Sequence, residues 1–152
     1  MKFALGCRIA LLLNIGLLAW PLLAICRYTN ENGAALTPSD QTVRDSVTGL
    51  VWQRTQAAST MSQTSAASYC ASLNLNGFSF RLPTVRELSS LVDFNTSSPS
   101  IDSTAFPGTS SNYFWTSTTY QPIPTYAWVV DFYGGFVDFN AMGGDNSVRC
   151  AR

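Results

Sequence analysis

Residues that commonly carry enzyme chemistry are sparse in this sequence. It contains no histidine, and histidine is the commonest general base and the commonest zinc ligand in proteins. The formal net charge is zero, so bulk electrostatics gives no reason to expect a nucleic-acid partner. We therefore expect no enzyme, no metal ion, no cofactor and no nucleic-acid ligand.

Two carboxylates near the C-terminus are the first candidates for a binding site. The segment YAWVVDFYGGFVDF, residues 126–139, predicts a β-hairpin that turns at its Gly-Gly pair. That register places Asp131 opposite Asp138, and like charges that face each other across strands are unfavourable. Solvent, an arginine such as Arg149 or calcium would relieve the repulsion. Two carboxylates fall short of the about 6 to 8 oxygen ligands that calcium requires. We therefore expect exposure to solvent to relieve the repulsion.

Aromatic and amide side chains in the C-terminal third predict a recognition surface. They lie in or beside two loops, TYQPIPT at 119–125 and NAMGGDNS at 140–147, which should flank the predicted hairpin. Recognition surfaces commonly draw on loops of this composition. The candidate ligand-binding residues are Tyr120, Tyr126, Tyr133, Asn140, Asp145 and Asn146. The alternative is that they are ordinary surface residues of a β-rich domain.

The N-terminus is typical of an export signal. Positively charged residues accompany an apolar run, and Ala24 offers a small residue for cleavage. We predict a signal peptide over residues 1–24, a linker over 25–41 and one domain over 42–152. The protein would then be periplasmic, attached to the cell surface or secreted. The alternative is that the apolar run stays as a membrane anchor.

Export would place the cysteines in an oxidising compartment, where disulfides persist. Cleavage would remove Cys7 and leave Cys26, Cys70 and Cys150. Cys70 and Cys150 lie within the folded region and are the natural pair. Cys26 would then be free or bonded to another molecule, and the preceding Leu-Ala-Ile makes it a candidate for lipidation.

The stretch FRLPTVREL, residues 80–88, combines charged residues with a helix-start signal. Thr84 and Glu87 have the spacing of a capping box, in which the threonine hydroxyl and the glutamate carboxylate each accept from the other's backbone amide. Apolar residues at helical spacing over 85–92 predict the helix that follows. Glu87 is therefore assigned to a helix cap and not to catalysis.

A hairpin and another helix complete the predicted elements. The β-forming residues of 42–54 flank a Thr-Gly turn and predict a short hairpin. A capping box at Thr60 would start the first helix and Gly77 would stop it. Its apolar stripe is Ala66, Tyr69, Cys70 and Leu73. The tryptophans expected in the core are Trp52, Trp115 and Trp128.

Several short motifs follow one another over residues 42–152. They are DSVTGLVWQR at 45–54, YC at 69–70, FRLPTVRELSSLVD at 80–93, AFPG at 105–108, YFWTST at 113–118, YAWVVDF at 126–132 and VRCAR at 148–152. Each motif is weak alone, but in this order they resemble the bacterial Lcl C-terminal domain family, which belongs to the C-type lectin-like group.

This resemblance implies an α+β, C-type lectin-like fold. Two helices would pack on twisted antiparallel sheets, and one core disulfide would join the first helix to the last strand, where Cys70 and Cys150 stand. Calcium-dependent sugar-binding members of the wider group carry Glu-Pro-Asn or Gln-Pro-Asp. This chain has Gln121-Pro122-Ile123, so a calcium-dependent sugar site is not expected.

For function, we expect an exported, non-enzymatic recognition or adhesion domain. Loops of its C-terminal half would bind a glycan, a surface polymer or a protein. One alternative is a catalyst like the formylglycine-generating enzymes, for which Cys26 would be the single unpaired cysteine. Another is a structural module of a cell-envelope assembly. Membrane contact is expected only through the signal or a lipid anchor, and the sequence leaves the oligomeric state open.

Overall fold

A computed structural model describes residues 7–9 and 24–152, with side chains from residue 26 onward. Most of the predicted signal peptide, residues 1–24, lies outside these residues. Next to the undescribed segment, strand β1 (Cys7–Ile9) pairs antiparallel with β2 (Ala24–Cys26). Within the described ranges, no helix has the length and apolar character needed to cross a membrane.

A small antiparallel sheet joins the beginning and the end of the domain. Its strands are β3 (Tyr28–Thr29), β4 (Thr42–Asp45) and β5 (Val51–Gln53), in that order. Strands β4 and β5 form the hairpin predicted over 42–54. Val51 N donates to Arg152 O at 3.0 Å, and Arg152 N donates to Val51 O at 2.9 Å. The C-terminal segment is thereby paired with β5.

The first helix, α1, spans Gln63–Ser72 and begins later than predicted. Met61 and Asn146 exchange backbone hydrogen bonds of 3.1 Å, which hold the chain extended past Thr60. The N-cap is therefore Ser62, whose hydroxyl accepts from the Ser65 amide. In the predicted stripe Ala66 and Cys70 are buried, while Tyr69 and Leu73 are partly buried.

The end of α1 also differs from the prediction. The helix stops at Ser72, and the C-cap residue Leu73 already has extended backbone angles. Gly77 does not end the helix. It has a φ of +83° and turns β6 (Asn74–Leu75) into β7 (Phe78–Ser79).

The second helix, α2 (Val85–Ser89), has the predicted capping box. Glu87 N donates to Thr84 Oγ1 at 3.3 Å, and Thr84 N donates to Glu87 Oε2 at 2.8 Å. The helix is short, and the hydroxyls of Ser89 and Ser90 donate back to the carbonyls of Val85 and Glu87. Such side-chain bonds compete with helix continuation.

The longest strands form another antiparallel sheet, which lies between the two helices. It contains β8 (Tyr113–Thr119), β9 (Tyr126–Asp131) and β10 (Phe136–Ala141), with β9 in the centre. Successive side chains of a strand point to opposite faces. On β9, Val130 packs in one buried cluster with Leu88 of α2, whereas Val129 packs in another with Cys70 of α1. We call these sides the α2 face and the α1 face.

The described residues therefore form the predicted α+β arrangement of two helices and antiparallel sheets with a core disulfide. The disulfide joins Cys70 on α1 to Cys150 across 80 residues of sequence. Cys26 is also disulfide-bonded in the full chain. A free or intermolecularly bonded Cys26 was expected only after cleavage of the signal, and that state stays a prediction. Lipidation of Cys26 after processing stays a prediction.

The register of the β9–β10 hairpin corrects the sequence prediction. Asp131 pairs with Phe136 and Asp138 pairs with Val129, so the carboxylates do not face each other. The turn occupies residues 132–135, because Phe132 leaves the strand to become fully buried on the α2 side. The Gly135 amide closes the turn by donating to Asp131 O at 2.8 Å.

Candidate functional site

Four partly exposed aromatic rings meet at one end of the β8–β9–β10 sheet, on its α2 face. The ring of Tyr120 stacks on Phe139, with centroids 4.1 Å apart and planes within 4°. Trp128 meets Tyr120 edge-on at 5.1 Å, and Tyr126 meets Phe139 edge-on at 6.0 Å. We call Tyr120, Tyr126, Trp128 and Phe139 the aromatic face.

Strand register and one tight loop position these rings. Phe139 lies directly opposite Trp128 across the β9–β10 ladder, and such cross-strand pairs pack closely. The Tyr120 amide donates to Tyr126 O at 2.8 Å, and the Ile123 amide donates back to Tyr120 O at 3.0 Å. The loop therefore folds over itself and holds Tyr120 against Phe139.

Trp128 is not a core residue, contrary to the sequence prediction. Trp52 and Trp115 are fully buried, but Trp128 is partly exposed. On β9 the helix-covered positions belong to Val129 and Val130, which are both fully buried. Trp128 lies nearer the open end of the sheet, where Tyr120 and Phe139 cover only part of its indole.

The predicted amide residues lie on the opposite side of the sheet. Asn140 is in register with Ala127, which packs in the cluster on the α1 face. Asn140 Nδ2 donates to Asn146 Oδ1 at 3.3 Å, and Asn146 is also tied to Met61 through its backbone. Asp145 is exposed beside this pair. The amide pair therefore does not complete the aromatic face.

Tyr133 lies at the other end of the sheet. It is in the β9–β10 turn with its side chain 63% exposed, and its carbonyl accepts from the Ser98 amide at 3.1 Å. Of the six predicted ligand-binding residues, the structure brings Tyr120 and Tyr126 together on the aromatic face, and Asn140, Asp145 and Asn146 together on the opposite side of the sheet. Phe139 and Trp128 are the members of that surface that sequence reasoning missed, because the wrong hairpin register hid their pairing.

The predicted carboxylate pair forms no metal site. Asp131 Oδ1 accepts from the Tyr133 amide at 2.8 Å, and Asp138 Oδ1 accepts from the Phe139 amide at 2.8 Å. Among the residues that the structure describes, no group of three or more histidine, cysteine or acidic side chains could hold a metal ion. The facing carboxylates on which the calcium alternative rested are thus absent from the hairpin.

Arg149 does not relieve either carboxylate. Its side chain is fully buried and donates to the carbonyl oxygens of Gln53 and Arg54 and to Thr109 Oγ1. Its guanidinium also lies 4.8 Å from the ring centre of Phe106. The hydrogen bonds of Arg149 therefore link the C-terminal segment to the end of β5 and to the residue that follows it.

A surface depression also lies beside the N-terminal strands, away from the aromatic face. Cys26, Glu31 and Arg44 are among its lining residues. Its wall contains no aromatic ring from the described residues. The aromatic face is therefore the stronger candidate for ligand recognition.

The fold and the aromatic face define an α+β domain that is built around a sheet with one helix on each side. The sequence profile of the Lcl C-terminal domain matches residues 41–152, and the chain belongs to this family. Family membership favours an extracellular domain. No curated protein matches the sequence.

Proposed function

We propose that this chain is an exported, non-enzymatic recognition domain of C-type lectin-like fold. Its ligand would be a neutral glycan or surface polymer that binds across the aromatic face. The lectin-like assignment is supported by the paired beginning and end of the domain, the helix on each side of the sheet and the disulfide from α1 to the C-terminal segment.

The observation that carries the proposal is the stacked pair of Tyr120 and Phe139 with Trp128 at its edge. Partly exposed rings of this kind present flat apolar surfaces on which the C–H faces of a sugar ring can rest. Tyrosine adds a hydroxyl that hydrogen-bonds at the rim, and aromatic side chains contribute large contact areas at low entropic cost. The exposed loop 121–125 supplies further polar groups beside the rings.

Charge favours a neutral ligand over a polyanion. Residues 87–148, which include all of β8, β9, β10 and their loops, contain no lysine or arginine. A polyanion would find no cation in this part of the chain, and binding of polyanions relies on such charges. A neutral glycan or polymer needs only stacking and hydrogen bonds.

The cysteines support a non-enzymatic function. Formylglycine-generating enzymes depend on reactive cysteines or a copper site, whereas Cys26, Cys70 and Cys150 are all disulfide-bonded. Titration of thiols in the native, non-reduced protein should therefore detect none at Cys70 or Cys150. A reactive thiol at Cys70 or Cys150 would revive the enzyme alternative.

A glycan and surface-polymer array tests the proposal. We expect the full-length protein to bind neutral ligands, the Tyr120→Ser variant to lose most of that signal and Tyr120→Phe to keep the stacking part of it. Tyr133→Ser is the matched control, because it removes an exposed tyrosine at the other end of the sheet. Binding only to polyanions, or equal binding by wild type and Tyr120→Ser, would contradict the proposal. If the array shows no ligand binding and light scattering shows that the protein self-associates, the structural-module alternative would be supported.

A further inference from the structure

A second surface lies at the turn end of the sheet, on the α1 face. Tyr113, Asp131 and Phe136 form one row across the three strands, because Asp131 pairs with Tyr113 on one side and with Phe136 on the other. The aromatic members of the row are exposed, Tyr113 by 38% and Phe136 by 67%. Side chains directly opposite on neighbouring strands lie on the same face, so the carboxylate stands between two rings.

Asp138 extends this row along β10. It lies two residues from Phe136 and therefore on the same face of the strand, and it is exposed. Each carboxylate uses Oδ1 to accept one backbone amide, from Tyr133 for Asp131 and from Phe139 for Asp138. Within the described part of the chain, the Oδ2 atom of each carboxylate accepts no hydrogen bond. We call Tyr113, Asp131, Phe136 and Asp138 the acidic aromatic row.

Among the residues that the structure describes, neither of these carboxylates forms an ion pair. Residues 87–148 contain no lysine or arginine. The ion pairs of the described residues join Arg27 to Asp45, Arg81 to Glu87 and Arg152 to Glu31. Both carboxylates are therefore without an ion-pair partner in the described part of the chain.

We infer that the acidic aromatic row binds an arginine side chain of a partner protein. A guanidinium is planar, stacks on aromatic faces and donates in a fork to carboxylate oxygens. Rings beside a carboxylate match both properties, and the row's charge is complementary to that of arginine. A single exposed cation–π contact contributes only about 0.5 to 1 kcal/mol, so recognition would require the carboxylates and rings together.

This site is independent of the proposed glycan surface. Trp128 and Asp131 lie on opposite faces of β9. They are also about 10 Å apart along the sheet, because Asp131 is three residues further along the strand. A ligand on the aromatic face would not occupy the row. Failure of one proposal therefore leaves the other unchanged.

Titration of the isotope-labelled full-length protein with short peptides tests the inference by amide chemical shifts. A peptide of alternating glycine and arginine should shift the amides of residues 131–138, and its affinity should fall as salt rises. A glycine–lysine peptide should bind about threefold more weakly, because ammonium lacks the planar fork. A glycine–glutamate peptide should cause no shift. Equal shifts with all three peptides would overturn the inference.

Variants that keep the fold give the sharper test. The double change Asp131→Asn and Asp138→Asn retains the Oδ1 acceptors for Tyr133 and Phe139 and removes only the charges, so affinity should fall about tenfold or more. Phe136→Leu should weaken binding while leaving the surface apolar. Val47→Ser, at another exposed apolar residue, should have no effect.

Wild-type affinity in the double asparagine variant would overturn the proposal. So would concentration-dependent self-association that maps to the row, or binding of the row to lipid vesicles in place of the arginine peptide. Loss of glycan binding in the Tyr120→Ser variant, with peptide binding intact, would confirm that the two sites are separate.

Discussion

At the scale of single residues, Arg149 is a buried cation whose hydrogen-bond partners include no carboxylate. Arg149 is surrounded by carbonyl and hydroxyl acceptors, and burial lowers its pKa to about 9. The side chain is still charged at neutral pH, and its bonds join segments far apart in sequence. Sequence patterns could not place it, because an arginine near a strand end is normally exposed.

Glu87 is the residue whose role the sequence predicted best, since a capping box depends on local geometry alone. The sequence did not predict its ion pair with Arg81, whose guanidinium donates two hydrogen bonds of 2.8 and 2.7 Å. Those bonds are the main cause that lowers the pKa of Glu87 from 4.5 to about 2, and the Thr84 amide adds to them against partial burial.

The lowered pKa of Glu87 predicts acid-sensitive stability. The stabilising contribution is fully present above pH 4.5 and is lost as pH falls from there toward about 2, because the folded state holds the carboxylate in its charged form. Urea unfolding between pH 2 and 7 should show a smaller loss in Glu87→Gln and Arg81→Met than in wild type. Arg86→Met, at an exposed arginine of the same helix, should keep the wild-type profile. Identical profiles in all four proteins would contradict this role.

At the scale of elements, the sequence predicted which segments are helices and strands better than it predicted their ends. The 42–54 hairpin and both helices are present, because their apolar spacing is a local property. The start of α1 was wrong because Met61 pairs with the distant Asn146. The β9–β10 register was wrong because burial of Phe132 enlarges the turn. Long-range contacts decided both cases.

The two glycines of the β9–β10 turn predict unequal effects of alanine. Gly135 has a φ of +80°, and a Cβ there would lie 2.6 Å from Val92 Cγ1. Gly135→Ala should therefore destabilise the domain by about 1 to 2 kcal/mol from backbone strain alone, with the steric contact adding to it. Gly134→Ala would meet only the exposed ring of Phe136, which can turn aside.

Thermal unfolding of both alanine variants provides the measurement. Gly134→Ala is the matched control and should stay within about 0.5 kcal/mol of wild type. Equal loss of stability in the two variants would show that the turn does not depend on the left-handed conformation at Gly135.

At the scale of the whole molecule, two buried clusters on opposite sides of β9 are joined through the C-terminal segment. Ala151 packs in the α2-side cluster, while Val148 and Cys150 pack in the α1-side cluster. The sequence indicated the family and the cysteine pair, because ordered motifs and cysteine positions are visible along the chain. It could not indicate that Trp128 is partly exposed, since that depends on where the helices end over the sheet.

The Cys70–Cys150 bond should make a large contribution to stability. It closes a loop of 80 residues, and the chain-entropy model gives about 4 to 5 kcal/mol for such a loop. The double variant Cys70→Ala/Cys150→Ala, unfolded in urea under oxidising conditions, should lose a stability of that order. A loss below about 1 kcal/mol would show that packing alone holds α1 against the C-terminal segment.

The central claim is that ligand recognition occurs on the aromatic face. The most direct measurement follows the indole N–H signals of Trp52, Trp115 and Trp128 during titration with the strongest neutral array ligand. Only Trp128 is partly exposed among these three, so its signal should shift while the two buried indoles stay in place. A saturable titration that leaves Trp128 unmoved and shifts residues elsewhere would contradict the claim.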